Sequence, residues 1–146
     1  MGNPALVREL RARLALPAVA GPMFLVSSVK LTLACCRAGI IGSLPALNAR
    51  SSDIFEIWMA QMAPQAGELG MAPYAINIIV HHSNPRLEAD LSIAARYEAP
   101  IIIASVGNPA PVVERVKGYG GLVFSDVASV RHARRAAESG ADALIL

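Results

Sequence analysis

The residues able to do chemistry in this sequence are few, and most stand just behind short apolar runs. Asn77 lies inside one such run, Ala75-Ile76-Asn77-Ile78-Ile79. A buried amide must be hydrogen-bonded or it costs on the order of 1–3 kcal/mol. It therefore either bonds a neighbouring strand or orients a polar ligand. His81-His82-Ser83-Asn84 follow it. Adjacent histidines on an extended segment point apart, and no third ligand stands at a useful spacing. The expectation is a solvated or substrate-facing loop, without metal. Ser105-Val106-Gly107 end a second apolar run and Ser125-Asp126 a third. Asp126 can act as an N-cap, as a site carboxylate, or as both. Pro22-Met23-Phe24 follow the short run Ala18–Ala20 and do not form a GxGxxG fingerprint. Neither Ser105 nor Ser125 has a His fixed beside it, and no paired carboxylates stand at a run's end. His132, within RHARR, reads as part of a solvated helix face. Cys35 and Cys36 are adjacent, poor spacing for a metal site or an ordinary disulfide. They read as two small apolar side chains.

These residues need elements to position them. The sequence predicts a leading amphipathic helix over 4–16, with Leu6, Leu10 and Leu14 on one stripe. Strands are expected at 18–20, 40–44, 74–80, 101–105, 121–124 and 143–146. Helices are expected between them at 28–37, 51–62, 85–97, 109–119 and 127–139. Ser27 or Ser28 would cap the first of these and Ser52 or Asp53 the second, whose core face would hold Ile54, Ile57, Trp58 and Met62. Strand starts recur about every 20 to 34 residues, the length of a βα unit. With no hairpin turns, the pattern is a parallel α/β sheet. Periodicity alone leaves an open doubly wound sheet and a (β/α)8 barrel in competition. Both place ligands at the C-terminal ends of the strands.

Composition agrees with buried strands. Of the 146 residues, 54% are hydrophobic and 16% charged, against roughly 25% charged in an average domain. Strands covered on both faces need no polar side. The formal net charge of +2, spread over scattered Lys and Arg, gives no reason to expect a nucleic acid partner. Stretches such as Ala75–Val80 and Ala99–Val106 are far shorter than the ~20 residues of a membrane span. The start MGNPALVRELRARL lacks a signal peptide's apolar core, and Leu6 stands where myristoylation wants Ser or Thr. A cytoplasmic location is the expectation.

Five segments then carry a resemblance. They are PAVAGPMFLVS (17–27), AGIIGSLPALNAR (38–50), APYAINIIVHHSNPR (72–86), PIIIASVGNP (100–109) and GYGGLVFSDVASVRHARRAAESGADALI (118–145). In order and spacing they resemble the nitronate monooxygenase (2-nitropropane dioxygenase) family of FMN-dependent (β/α)8 barrels, over roughly residues 16–146. The resemblance implies an incomplete TIM-type barrel of about six strands and five helices, with residues 1–146 as its N-terminal part and a short leading helix at 1–16. It implies that Pro22-Met23-Phe24 lay backbone against the flavin ring, and that Asn77 contacts FMN. Ser105, Val106 and Gly107 would also line the cofactor site. Ser125-Asp126 stand where some members carry a flavin-contacting Lys, which fits the branch with a DV pair and leaves the electron donor open. The implied activity is oxidation of alkyl nitronates with FMN and O2. The family's catalytic His, in a GxGGHxG segment past the sixth strand, and its phosphate loops would follow Leu146, so this chain is expected to turn over weakly or not at all. A related FMN-dependent enoyl-acyl-carrier-protein reductase shares the early motifs. A third reading is a non-catalytic half-barrel that self-associates, as a homo-oligomer, through the apolar edge Ala143–Leu146.

Overall fold

A computed structural model describes residues 4–146; the side chains of Pro4 and Leu6 lie outside the described set, as do Met1, Gly2 and Asn3. Leu6's expected place on the leading stripe and the Met1-Gly2 start therefore fall outside the described residues. The elements are α1 (Pro4–Ala12), α2 (Val29–Arg37), β1 (Ser43–Pro45), α3 (Ser52–Met62), β2 (Ala75–Ile79), α4 (Leu87–Arg96), β3 (Ile101–Ser105), α5 (Ala110–Lys117), β4 (Leu122–Asp126), α6 (Val130–Glu138) and β5 (Ala143–Ile145). Short 3-10 turns follow β1 (Ala46–Asn48) and α3 (Ala63–Gln65).

The five strands form one parallel sheet in the order β1-β2-β3-β4-β5. That order decides between the two competing architectures. A doubly wound sheet reverses direction at a switch point and covers both faces with helices. Here the order never reverses. One face buries Leu44, Ile76, Ile78, Ile102, Ala104 and Val123 in a single cluster with Phe55, Met59, Leu91, Val112 and Val116 from the helices. The other gathers Ile41, Ala75, Ile101, Ile103, Leu122 and Phe124 into a separate core. A parallel sheet with its helices on one face and an apolar interior on the other is the wall of a TIM barrel, here incomplete.

Several expected boundaries move for local reasons. The expected strand 18–20 is a single bridge, Val19 to Ile41, flanked by hydrogen bonds between Ala18, Ala20 and Ile41. The expected strand 40–44 divides at Gly42, whose backbone lies against the Thr32 carbonyl, and the named strand begins at Ser43. The leading helix stops at Ala12; Leu10 and Leu14 still pack on the interior core at the N-terminal ends of the strands. In α3 the cap is Ser51, which accepts from the Ile54 N–H, and not Ser52 or Asp53. Its core face is Phe55, Met59 and Met62; Ile54 and Ile57 are exposed. Helix α6 starts at Val130 with Ser129 as its cap, so Asp126 is not the N-cap. No helix among the described residues is long and apolar enough to cross a membrane.

Candidate functional site at the strand C-termini

Alternation along each strand fixes which side chains face the barrel interior. Asn77 shares a face with Ala75, an interior residue, and Ser105 shares one with Ile101 and Ile103. The two meet directly. Asn77 Nδ2 donates to Ser105 Oγ at 2.7 Å and to the Ile103 carbonyl at 3.1 Å. A carbonyl only accepts, so this pairing sets the amide's orientation. Both bonds use the amide nitrogen, which leaves Oδ1 available as an acceptor. Asn77 is 8% exposed and Ser105 5%.

Beyond Ser105 the backbone turns sharply. Val106 takes φ +58° and Gly107 φ +157°. For a β-branched residue the left-handed region costs roughly 1–2 kcal/mol, and such strain clusters at functional sites. The Val106 N–H points at Asp126 Oδ1, 3.4 Å away, across the ends of β3 and β4. Val106, Gly107, Ser125 and Asp126 line an open cleft of about 1030 Å³, together with His81, His132 and Ile145 among others. Ser125 follows Val123 on the helix-facing side, so its buried side chain points away from the interior that Phe124 fills.

The Pro22-Met23-Phe24 loop stands apart, on the far side of β1, beyond the bridge at Val19. Adjacent strands are about 4.8 Å apart, so its base lies roughly two strand spacings from Asn77. The loop is apolar and open: Phe24 is 66% and Leu25 78% exposed, with Met23 and Val26 also exposed. It is nevertheless fixed. Leu25 takes φ +62°. Its N–H donates to Asn48 Oδ1 at 3.0 Å, and Asn48 Nδ2 donates to the Met23 and Ser27 carbonyls at 3.1 and 2.8 Å. Ser27 Oγ accepts from the Met23 N–H at 3.0 Å. Sequence reasoning did not single out Asn48, because every partner it has here is a backbone group.

The histidine pair differs from expectation. The segment turns instead of extending, so the His81 and His82 rings lie 4.0 Å apart, centroid to centroid. His81 Nδ1 pairs with Ser83 Oγ at 2.8 Å. No group of three metal-ligating side chains occurs among the described residues.

No family model matches the chain, and no curated protein does. Solved structures do. FabK from Thermotoga maritima is similar with a TM-score of 0.80 and 24% identity, over 95% of this chain and 42% of that one. A mutant of the same FabK gives 0.79 and 23%, over 95% and 45%. The nitroalkane oxidase from Streptomyces ansochromogenes gives 0.78 and 22%, over 92% and 47%. These similarities establish the fold, a TIM-barrel wall, and the chain spans under half the length of each of these structures.

Proposed function

We propose that this chain forms the ring-facing wall of an FMN-dependent oxidoreductase that acts on alkyl nitronates. The observation that carries the reading is Asn77. Its buried amide nitrogen is committed to Ser105 and Ile103, which leaves the amide oxygen to accept from a ligand N–H. A flavin has flat apolar faces and an edge rich in N–H and C=O groups. The pre-formed apolar loop Met23–Val26 suits the first and Asn77 the second. Ser105, Val106 and Gly107 would complete the wall, with Asp126 holding the Val106 turn. FMN, when bound, supplies the electron acceptor for the nitronate and the means of passing electrons to O2. This chain's residues orient the ring and keep water from its apolar face. A nitronate is already an anion and needs no base for its activation. A neutral nitroalkane does, and the 146 residues hold no GGH segment.

The likeness to the FabK structures favours a second reading, an FMN-dependent enoyl-acyl-carrier-protein reductase type. One series of measurements separates the two. FMN is titrated into the chain and followed by flavin absorbance. Saturable binding that Asn77→Leu weakens at least several-fold is expected; no saturable uptake at millimolar FMN overturns both readings. The loaded protein is then offered an alkyl nitronate under air, and separately an enoyl thioester with reduced nicotinamide. Weak turnover of the nitronate alone supports the first reading, and turnover of the thioester alone the second.

A further inference from the structure

We propose that Asn48 is the positioning residue of the barrel-mouth loop 22–27, and that a buried ion pair in the helix layer holds Asn48 in register. The loop exposes four successive apolar side chains and includes a leucine in the left-handed region. The loop has turn bonds of its own, from the Val26 and Ser27 N–H groups to the Met23 carbonyl at 3.3 and 3.0 Å, but no sheet ladder to hold it to the wall. Asn48 supplies what a ladder would. Its oxygen takes the Leu25 N–H, and its nitrogen serves the Met23 and Ser27 carbonyls. One side chain thus closes three backbone groups around the strained residue.

Asn48 ends the 3-10 turn Ala46–Asn48, so its aim depends on that turn. The turn is gripped from outside the barrel. Arg86 donates through one guanidinium nitrogen to the Ala49 carbonyl at 2.6 Å and through another to the Ala46 carbonyl at 3.4 Å. The second nitrogen also pairs with Asp90, which is 1% exposed. Ser52, opening α3, donates to Asp90 Oδ1 at 2.6 Å. A carboxylate so buried is tolerable because it is paired and hydrogen-bonded. The order of action runs from Asp90 to Arg86, to the turn, to Asn48, to the loop. What the loop serves rests on the flavin reading; its geometry does not.

Amide hydrogen exchange by NMR tests the assignment on the 146-residue chain. Asn48→Ala should speed exchange at Leu25 by roughly 3- to 10-fold, the worth of one hydrogen bond, with the β2–β4 amides unchanged. Asn48→Asp sets carboxylate oxygens against two carbonyls. Leu25 protection relative to the parent should be low at pH 7 and recover below about pH 4, where the protonated acid donates again. Arg86→Lys keeps the charge beside Asp90 but lacks the planar fork. It should speed Leu25 exchange less than Asn48→Ala does and add nothing to it in the double variant. Unchanged Leu25 exchange in Asn48→Ala, a pH-independent Asn48→Asp, or additive effects in the double variant would each overturn the proposal. So would loss of protection throughout β2–β4. FMN titration of the same variants is a separate readout. If the parent chain takes up no flavin, the functional reading falls while the exchange data still decide the role of Asn48.

Discussion

Asn77 makes the strictest demand of any single side chain here, since its buried amide nitrogen bonds Ser105 and the Ile103 carbonyl. Asn77→Ala removes the donor to Ser105 and Ile103 and should cost about 1–3 kcal/mol, read as a lower urea midpoint with an unchanged slope; a midpoint equal to the parent's would contradict the buried pairing. Two tyrosines make a second demand. Burial is the main cause that pushes the pKa of the Tyr74 hydroxyl above its ordinary value, with Tyr119 and Cys36 adding to it. Burial comes first for Tyr119 too, followed by Glu98. The Tyr74 hydroxyl has no hydrogen-bond partner among the described residues, and Tyr119 donates to the Ala99 carbonyl at 3.0 Å. The neutral form is favoured in the fold. The associated stability is therefore complete below the unfolded value near pH 10 and is lost as pH rises through the folded values. In an alkaline titration, the 295 nm phenolate signal of these two residues should appear only together with loss of circular dichroism. Asn77 was legible in the sequence because a polar residue in an apolar run is conspicuous. Asn48 was not, because carbonyls and N–H groups carry no residue-type signal.

The elements show where reading by pattern succeeds and fails. Strand β3 has the bounds expected for it, Ile101–Ser105, because the β-branched run Ile101–Ile103 and the small Ala104 and Ser105 sit between Pro100 and the turn at Val106-Gly107. Helix α3 lies where expected, but its core stripe agrees only in part: Met62 is buried and Trp58 packs against the core, whereas Ile54 and Ile57 are exposed. Ile54, Ile57, Trp58 and Met62 form one plausible stripe, whereas Phe55, Met59 and Met62 form another at equally good spacing, and contact with α4 and the sheet selects the second. The strand expected at 40–44 is present at Ile41 and from Ser43 but breaks at Gly42, a break that alternation misses because it cannot see a helix crossing overhead. At Gly42 an added Cβ would lie 2.1 Å from the Thr32 carbonyl oxygen of α2. Backbone cannot retreat as a flexible side chain can. Gly42→Ala should therefore push α2 off the sheet and destabilise by several kcal/mol, beyond the ordinary run of substitutions. Thermal unfolding measures this, and a melting point within a few degrees of the parent's would refute it.

At the scale of the whole molecule, the sheet has two ends. On the β1 side the chain segment at Val19 bridges to Ile41. On the other side β5 offers its outer edge without a strand partner among the described residues, and Leu144 and Leu146 are exposed there. An uncovered apolar edge is a template for pairing. Light scattering of this chain should rise with concentration, and Leu144→Lys should reduce that rise; a concentration-independent parent would argue against an active edge. Sequence periodicity identified the βα repeat but could not choose between barrel and open sheet, since both are built of the same unit. Only the order of the strands in space distinguishes them. That order has a kinetic side as well. Because each strand pairs with the one just before it in the chain, every new βα unit meets a neighbour already made. Each contact of this kind closes a loop of only a few tens of residues, although parallel pairing is itself slow because that closure must come first. The wall can therefore assemble unit by unit from its N-terminal end while the polypeptide is still leaving the ribosome.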